Sequence, residues 1–453
     1  MPDDARMCRR SCSLAVLTLV LLCQSAHAEA ISSASRTFAG AATGSAPPAA
    51  GSRAAPQGLT LAQAVGRFRR ENLRLLAAEY EVSATRADII AAGLLPNPRV
   101  SLDAYFHVHG QPNSAEREYA IQLSQALPLS GRLSESRDAA QLTASASERE
   151  FAAAGFQLLG ELQRAYLSLQ LAQAEHGVLL AGLADLESVE RILEARAAAG
   201  ANPEYDRLRL QLERGNLRAR AAEAEARLSD ARSNLSAAIG GTVESAELQA
   251  ADAPVEPSLD ERDPSLLARW ALAHRHEIAA TRLSTGAAEA RLRAARRRVI
   301  PEPELGIGYA RWSGIPGAEP GSSGGALLAS ASIPLPLFDH GQGTIDRQLE
   351  LSRAARVRER DQRNSIEREV ERAAHAARLS AAAYHRYRAE SSHVADSVRR
   401  IAELTYREGR GTILELLDAY SSYLRVEEKA LELRFVALSA ALDLEQAMGP
   451  TAP

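Results

Sequence analysis

One stretch of the chain, Thr344 to Glu408, contains neither glycine nor proline over 65 residues, and it restricts the possible folds more than any other feature. Glycine and proline are the residues that most often weaken or end a helix. An uninterrupted helix of this length spans on the order of 100 Å. Leu133 to Ala199 matches the stretch in length and has only scattered glycines. The sequence therefore predicts a mainly helical protein with two very long helices.

Each long helix leads into a short turn that contains glycine, and a return helix follows. The turns are Gly200-Ala201-Asn202-Pro203 and Gly409-Arg410-Gly411. In the second return helix, apolar residues recur at heptad spacing: Ile413, Leu417, Tyr420, Leu424, Leu431, Phe435, Leu438 and Leu442. By itself this seam is typical of a dimeric coiled coil.

The landmarks of the chain occur twice in the same order. Glu71-Asn72-Leu73 precedes Leu95-Pro96-Asn97-Pro98, and His276-Glu277-Ile278 precedes Ile300-Pro301-Glu302-Pro303, with an offset of 205 residues at both. Such matching indicates an internal duplication, and its period is too long for an ordinary solenoid. We therefore expect a first structural repeat at 58–250, a linker at 251–264 and a second structural repeat at 265–449.

Two short strands are predicted in each repeat, before the long helix. Alternating apolar residues mark the strands: Val100, Leu102 and Ala104; Tyr119, Ile121 and Leu123; Leu305, Ile307 and Tyr309; and 327–333. Strands of about 9–11 residues can cross a bilayer when tilted. Four strands are too few to close a barrel, and lipid does not tolerate an open sheet edge. Either several chains share one barrel, or the sheet is a small soluble cap on a helical bundle; the residues alone leave both open.

The N-terminus has the pattern of a secretory signal peptide. Arg9 and Arg10 precede an apolar run, and Ala26-His27-Ala28 matches a small-x-small cleavage site, which places the signal at 1–28. Residues 29–57 are rich in Ala, Ser, Gly and Pro and are expected to form a flexible lead-in. No later stretch reaches the roughly 20 apolar residues of a membrane helix. We expect an exported protein that is periplasmic, secreted or held in the outer membrane by β-strands.

The start residue and the modification of Cys23 each have two possible interpretations. Met7 gives a cleaner positive start than Met1. Cys23 could carry a lipid, but a leucine precedes it where lipid-modified cysteines follow a small residue. All three cysteines lie in the signal region, so ordinary cleavage leaves a mature chain without disulfide or thiol chemistry.

The composition favours neither a nucleic-acid partner nor an enzyme. The formal net charge is −4, whereas nucleic-acid binding leaves a basic excess. Lys429 is the one lysine and lies outside any glycine-rich loop, which excludes a Walker-type phosphate loop. Neither a His-Glu-x-x-His helix nor a Gly-x-Ser-x-Gly elbow occurs. His107 and His109 fit an ordinary exposed loop better than a metal site. We expect no catalytic residues, no cofactor and no resident metal.

The second helical turn begins a longer motif, Tyr406-Arg407-Glu408-Gly409-Arg410-Gly411-Thr412-Ile413-Leu414-Glu415-Leu416-Leu417-Asp418-Ala419. It resembles the hairpin tip Tyr-x-x-Gly-x-x-Thr-x-x-Asp-x-Leu-Asp-Ala of the TolC-type outer-membrane efflux family. The duplicated plan, the two Pro-x-Pro entries and the exit Leu127-Pro128-Leu129-Ser130-Gly131 are also similar. The resemblance therefore covers nearly all of the mature chain.

The resemblance implies a homotrimer in which each chain gives four strands to one 12-stranded outer-membrane β-barrel, surrounded by outer-membrane lipid. The long helices would join a hollow α-barrel in the periplasm. The hairpin tips would form the entrance and meet a periplasmic adaptor protein, which couples to an inner-membrane RND pump. On this view the chain is the passive channel subunit of a tripartite efflux system.

Two acidic residues carry over to the channel mouth. Glu415 and Asp418 match acidic positions that ring the entrance in the family, and six carboxylates in a trimer would favour cations over anions. The alternative is that both are solvated acids, which are favourable near any helix N-terminus. The tip residues expected to contact the adaptor are Gly200, Ala201, Asn202, Gly409, Gly411 and Thr412.

A second set of residues matches the lock that keeps the entrance closed in the family. Tyr406 and Asp206 match its tyrosine and its acid. The usual arginine partner falls on Gly411, and the adjacent Arg410 is the expected substitute. This departure means that the resting entrance could be held differently here.

The Leu-Pro-Leu-Ser-Gly-Arg exit and the Pro-Asn-Pro entry are most similar to the branch of the family that serves heavy-metal pumps, of the cobalt–zinc–cadmium and copper–silver type. Metal cations are therefore the expected cargo. Drug or small-molecule efflux and type I protein secretion are alternatives with the same fold. A periplasmic coiled-coil scaffold is the alternative outside it.

Overall fold

Both halves of the chain show the same order of elements. The computed structural model describes residues 58–106, 117–198, 204–241, 244–245, 248–259, 262–313 and 323–450. The first half contains α1 (Leu61–Glu71), α2 (Leu73–Gly93), β1 (Arg99–Phe106), β2 (Arg117–Ala126), α3 (Arg132–Ala198) and α4 (Glu204–Ile239). The second half contains α5 (Pro264–His274), α6 (His276–Arg297), β3 (Glu304–Ser313), β4 (Ser323–Ser332), α7 (Gln342–Tyr387), α8 (His393–Arg407) and α9 (Ile413–Met448). The signal region 1–28, the lead-in 29–57, His107 and His109 lie outside the described residues.

In each half, the helix before the strands is interrupted once, and the residue at the interruption forms a hydrogen bond with the end of the return helix. Asn72 ends α1 and caps α2 by accepting from the Leu75 amide at 3.0 Å, and its amide nitrogen donates to the Ala238 carbonyl at 3.0 Å. Arg275 occupies the break between α5 and α6 and donates to the Ala447 carbonyl at 3.1 Å. The breaks lie 203 residues apart, two fewer than the predicted offset of 205, because α6 and its exit to β3 are longer than α2 and its exit to β1.

The long helix predicted at Thr344 to Glu408 is helical over its whole length but not α-helical throughout. A five-residue π-helical segment, Arg388–Ser392, separates α7 from α8. A π turn takes up one residue more than an α turn. The apolar face of α8 is therefore rotated relative to that of α7 by about 100°, the angle of one helical residue. The helix α3 in the first half has no such interruption.

The helices stand in rows, with α3 near the middle of both. Close to the strands the order is α2, α3, α6, α7, and close to the turns it is α4, α3, α9, α8. The predicted heptad seam of α9 is used inside the chain: Ile413, Leu417, Tyr420 and Leu424 are buried against apolar residues of α3 and α4. The seam therefore has its partner in the same chain rather than in a dimeric coiled coil, because the first hairpin lies beside α9.

The four strands form one antiparallel sheet in the order β1-β2-β3-β4. Its register aligns the apolar residues in rows, so that Leu102 lies beside Ile121, and Ile121 beside Tyr309. This face is exposed in the single chain. The opposite face is mostly polar or small, with Tyr105, Trp312 and Leu328 as its large residues, and there Gln122 donates to the Ser330 hydroxyl. The strands predicted from alternation are confirmed. Among the described residues, no helix is both long and apolar enough to cross a membrane.

The segment between the repeats, predicted as a linker, is fastened at both described ends. Ala250 pairs with Leu59, and the Tyr166 hydroxyl donates to the Asp252 carboxylate at 2.8 Å. Burial raises the pKa of Tyr166 to about 12, so that its phenol keeps the donated proton. Further along, the Tyr384 hydroxyl donates to Glu256. The segment 248–259 therefore lies against the long helices of both halves.

Candidate functional site

The turn between α8 and α9 has a defined geometry. Gly409 adopts a φ of +77°, in the left-handed region where glycine is favoured. The amides of Arg410 and Gly411 both donate to the Thr405 carbonyl, at 3.0 and 3.2 Å. A Cβ added at Gly411 would lie 3.3 Å from the Tyr406 backbone nitrogen. The position that carries arginine in the resembling family is therefore tightly placed against backbone in this turn.

A capping box starts α9 directly after this turn. The Thr412 hydroxyl accepts from the Glu415 amide at 3.3 Å, and the Glu415 carboxylate accepts from the Thr412 amide at 2.9 Å. This reciprocal pair satisfies two amide donors that a helix start leaves free. Glu415 and Asp418 are both exposed. Glu415 therefore serves the helix cap while its charge faces solvent, and the acidic ring stays a prediction.

The structure brings Tyr406 and Asp206 together. The Tyr406 hydroxyl donates to the Asp206 carboxylate at 2.8 Å, which joins the end of α8 to the start of α4. The Tyr406 side chain is buried, and burial followed by the hydrogen bond to Asp206 raises the pKa of the phenol well above its ordinary value. The pair forms within one chain, and its role as a lock is still a prediction.

The cation at this pair is Arg196, which no motif in the sequence singles out. Its guanidinium carbon lies 4.6 Å from the centre of the Tyr406 ring, within the range of a cation–π contact. One of its terminal nitrogens is buried without a hydrogen-bond partner among the described residues. Arg410, the expected substitute, instead forms an exposed ion pair with Glu408 at 2.9 Å. The Arg196 side chain starts from the last turn of α3, so that the cation comes from the first hairpin.

A second arginine fastens α8 above the turn. Arg399 pairs with Asp396 at 2.9 Å and lies 4.0 Å from Asp185 of α3. Its guanidinium also lies over the rings of Tyr420 and Tyr423 of α9, at 5.7 and 4.9 Å from their centres. Arg399 therefore adds polar and aromatic contacts to the packing of α8, whose Tyr406 and Ala402 also lie in or against the apolar core.

The remaining predicted tip residues divide into two sets. Gly409, Gly411 and Thr412 lie together at the second turn, as described above. Gly200, Ala201 and Asn202 lie outside the described residues. Within the described part of the chain, no group of three or more His, Cys, Asp or Glu side chains is placed to hold a metal ion.

The model of the family described as "Outer membrane efflux protein" matches residues 64–241 and 267–450. The cobalt-zinc-cadmium resistance protein CzcC of Cupriavidus metallidurans is 23% identical over 392 residues, which cover 86% of this chain and 90% of CzcC. The pyoverdine export outer membrane protein OpmQ of Pseudomonas putida is 24% identical over 408 residues, which cover 85% of this chain and 84% of OpmQ.

Solved structures show the same fold. CusC superposes with a TM-score of 0.69 at 19% identity, over 89% of this chain and 96% of that one. The outer membrane channel CmeC of Campylobacter jejuni gives 0.69 at 16% identity, over 86% and 85% of the two chains. The outer-membrane channel OprN gives 0.66 at 20% identity, over 86% and 89%. At these identities the likeness is one of fold: a helical barrel joined to a β-barrel.

Proposed function

The chain belongs to the outer membrane efflux protein family, and on that premise we propose that three copies form the passive outer-membrane channel of a tripartite heavy-metal efflux system. The family is one of outer-membrane channels with a helical part in the periplasm, and its fold is not that of an enzyme. An adaptor protein in the periplasm and an RND pump in the inner membrane are the proposed partners.

The observation that carries the channel proposal is the sheet. One face carries exposed apolar residues on all four strands, and the other face is mostly polar or small. This alternation is the pattern of a membrane barrel with lipid outside and water inside. The edge strands β1 and β4 have no further partner in the described part of the chain. Because lipid does not tolerate open edges, pairing β4 of one copy with β1 of the next is the way this sheet closes.

The cargo proposal rests on the likeness to CzcC, whose name states cobalt, zinc and cadmium resistance. Two exposed carboxylates per chain, Glu415 and Asp418, lie within one helical turn of each other at the start of α9. In a trimer they would place six negative charges at one end of the channel, which favours entry of divalent cations. The adaptor would contact this same end, at the exposed turn residues around Gly409.

A second candidate cargo is a small organic molecule. OpmQ, whose name states pyoverdine export, covers as much of this chain as CzcC does and at similar identity. A channel subunit conducts what its pump delivers, so both cargoes fit the same fold. The two relatives are about equally similar to this chain, so similarity does not decide between a metal cargo and an organic one.

Growth of a deletion strain tests the cargo. Loss of the chain is expected to lower the tolerated concentrations of cobalt, zinc and cadmium several-fold, and the wild-type gene is expected to restore them. Unchanged metal tolerance together with lost export of a siderophore or drug would contradict the metal proposal and support the second cargo. Complementation with Glu415→Gln and Asp418→Asn together is expected to restore metal tolerance only in part.

A further inference from the structure

The arginines of α6 and α7 lie on two sides of these helices, and the two sides differ in how the charges are paired. On one side, glutamates neutralise the arginines. Arg293 of α6 pairs with Glu135 of α3 at 2.7 Å, and Arg356 of α7 pairs with Glu289 of α6 at 2.7 Å. Glu289 and Arg293 are four residues apart, so they share one side of α6. This paired side links α3, α6 and α7 by ion pairs.

The other side carries exposed arginines without such partners. Two residues of an α-helix correspond to about 200° of rotation. Arg291 therefore lies opposite Arg293, and Arg358 lies opposite Arg356. Arg291 donates to the Thr143 hydroxyl at 2.8 Å. Within the described part of the chain, four arginines of this side form no ion pair at 4.0 Å or less: Arg291, Arg298, Arg347 and Arg358.

A groove receives the side chains of these four arginines. The part nearer the strands has a volume of about 390 Å³ and is lined by residues of α2, α3, α6 and α7, with Arg298 at the end of α6. The next part has a volume of about 400 Å³ and lies between α6 and α7, where Arg347 and Arg358 line it. Both parts include Arg291 and Gln348. Cavities of a few hundred Å³ are large enough for small molecules.

Positive charge is in excess in this groove. Arg132 also lines it and pairs with Glu302 at 3.1 Å. Asp88 is the one carboxylate among the lining residues in the described part of the chain. With Glu302 included, five arginines face two carboxylates, which leaves an excess of three positive charges. A recess lined by charges of one sign concentrates their potential and attracts ions of the opposite sign.

We propose that this arginine groove, formed by Arg291, Arg298, Arg347 and Arg358, binds the carboxylate or phosphate groups of small soluble anions. The planar guanidinium group matches both groups, because it can donate two parallel hydrogen bonds to their oxygens. Hydroxyls of Ser136 and Ser284 line the two parts of the groove and supply further donors. A bare divalent cation is repelled by such a surface, so the ligand is distinct from the metal ions proposed as cargo.

The groove lies on the side of the helices that continues the polar face of the sheet. Ser124 of that face donates to Glu304. Glu302 lies two residues earlier and precedes a proline, which favours extended backbone. Residues two apart in an extended chain point to the same side, and Glu302 pairs there with Arg132 of the groove. In the channel proposed above, on which this placement rests, the polar face encloses water. The groove then opens on the aqueous interior.

A small solute fits this place better than a second protein chain does. The groove follows α6, which has α3 on one side and α7 on the other, so its walls are complete within one chain. A phospholipid headgroup carries the same phosphate chemistry as a soluble ligand. The apolar face of the sheet, where lipid is proposed, is however the face opposite to the groove, which favours a soluble ligand.

Calorimetric titration of the purified protein with sodium phosphate and with sodium citrate tests the groove. Ionic strength is kept constant with chloride. We expect saturable binding to the wild-type protein, and the stronger of the two ligands identifies the preferred group. Arg291→Gln combined with Arg347→Gln is expected to lower the affinity by about ten-fold or more, because each change removes a charge-assisted hydrogen bond.

The matched control is Arg293→Gln combined with Arg356→Gln. It removes the same two charges from the same two helices, but on the paired side, and the affinity is expected to stay that of the wild type. Thermal unfolding transitions of the two double variants show that both are folded. Equal affinities of the two double variants, or no saturable binding by the wild type, would overturn the arginine groove.

Two further outcomes separate the groove from its surroundings. Native mass spectrometry that finds phospholipid retained by the wild type but not by Arg291→Gln with Arg347→Gln would assign the groove to a lipid headgroup and contradict a soluble ligand. A wild-type trimer that binds neither phosphate nor citrate would overturn the groove alone. Anion binding by a protein that forms no trimer would overturn the proposed channel and leave the groove in place.

Discussion

The two long helices of the chain are equivalent in sequence order but differ in what covers them. α3 has helices on both sides, with α2 and α4 on one and α6 and α9 on the other, and it buries 15 residues. α7 lies at the end of the row near the strands and buries seven, and α8 lies at the end of the row near the turns and buries one. A duplicated plan has therefore produced one interior helix and one edge helix.

Charged side chains add to the attachment of both edge helices. Arg275 joins α7 to the break before α6 through ion pairs with Glu369 and Glu277, at 2.7 and 2.8 Å. Arg399 joins α8 to α3 and α9. Apolar packing is present in both long helices: Leu158, Leu162 and Leu169 of α3 belong to one apolar core, and Ile366 and Val370 of α7 belong to another. The difference is therefore one of extent, since α3 buries more side chains within one chain than α7 or α8 does.

The largest expected effect comes from removing the attachment of α7. Arg275→Ala leaves Glu277 and Glu369 without their cation and frees the Ala447 carbonyl. Loss of one partner of a buried ion pair costs about 3–5 kcal/mol. This loss is measured as a decrease in the free energy of unfolding, determined by denaturant titration. Asn72→Ala is the matched change in the first half, where loss of a cap costs about 1 kcal/mol. Equal effects of the two changes would contradict the stated difference between the halves.

The same ion pair predicts a pH dependence. Burial opposes the charge of Glu277, but the hydrogen bonds and charge of Arg275 outweigh it and hold the pKa of that carboxyl below its ordinary value of 4.5. The contribution to stability is therefore complete above pH 4.5 and is lost as the pH falls through the lowered pKa of the folded state. Arg275→Ala is expected to lower the free energy of unfolding by a nearly constant amount at every pH above 4.5. At lower pH, the difference in this free energy between the variant and wild type should shrink.

The next effect compares one leucine inside the row with one at its edge. Leu169→Ala in α3 removes a fully buried side chain and is expected to cost about 2–5 kcal/mol. Leu379→Ala in α7 removes an exposed side chain and is expected to change the free energy of unfolding by less than about 0.5 kcal/mol. A large loss at Leu379 would contradict this comparison.

A smaller effect is expected at the contact that holds α8 to α4. Tyr406→Phe removes a hydrogen bond to a carboxylate, worth about 1.5–3 kcal/mol. If this contact holds the entrance closed, the variant conducts more in planar bilayers. Arg196→Gln, which removes the cation over the Tyr406 ring, should act in the same direction. Arg410→Gln should leave conductance unchanged, since Arg410 pairs with Glu408; the reverse order would contradict the role given to Arg196.

The smallest effect on stability is expected at the cap of α9. Thr412→Ala removes the capping hydroxyl and is expected to cost about 1 kcal/mol. Glu415→Gln keeps an acceptor for the Thr412 amide, so stability should change little while one charge per chain is lost. Bilayer recordings should then show a lower preference for cations over anions. Unchanged selectivity in Glu415→Gln with Asp418→Asn would contradict the acidic ring.

Short-range residue patterns predicted the strands and the turn, because these structures depend on residues close together in the sequence. Alternation located all four strands, and glycine located the turn at Gly409. The π-helical segment at Arg388–Ser392 was not predictable from glycine or proline, because neither occurs there. The heptad seam of α9 fixed an apolar face but not its partner, which comes from the first half of the chain.

The residues of the candidate site also divide into those that a sequence motif predicts and those that no motif predicts. Tyr406 and Asp206 were found through a motif, and the structure places them in contact. Arg196 lies on a long helix among many arginines, with no spacing that distinguishes it. Its importance depends on a contact across 210 positions of sequence, which only the folding of the two halves against each other creates.

The mass of the assembly tests the central claim most directly, which is that the open edges of this chain are closed by further copies of itself. The mature protein is extracted from the outer membrane in mild detergent and measured by native mass spectrometry. We predict a species of three chains that keeps its mass on dilution. A monomer or dimer as the stable species would contradict the account, because the open sheet edges at β1 and β4 would then have to be covered in some other way.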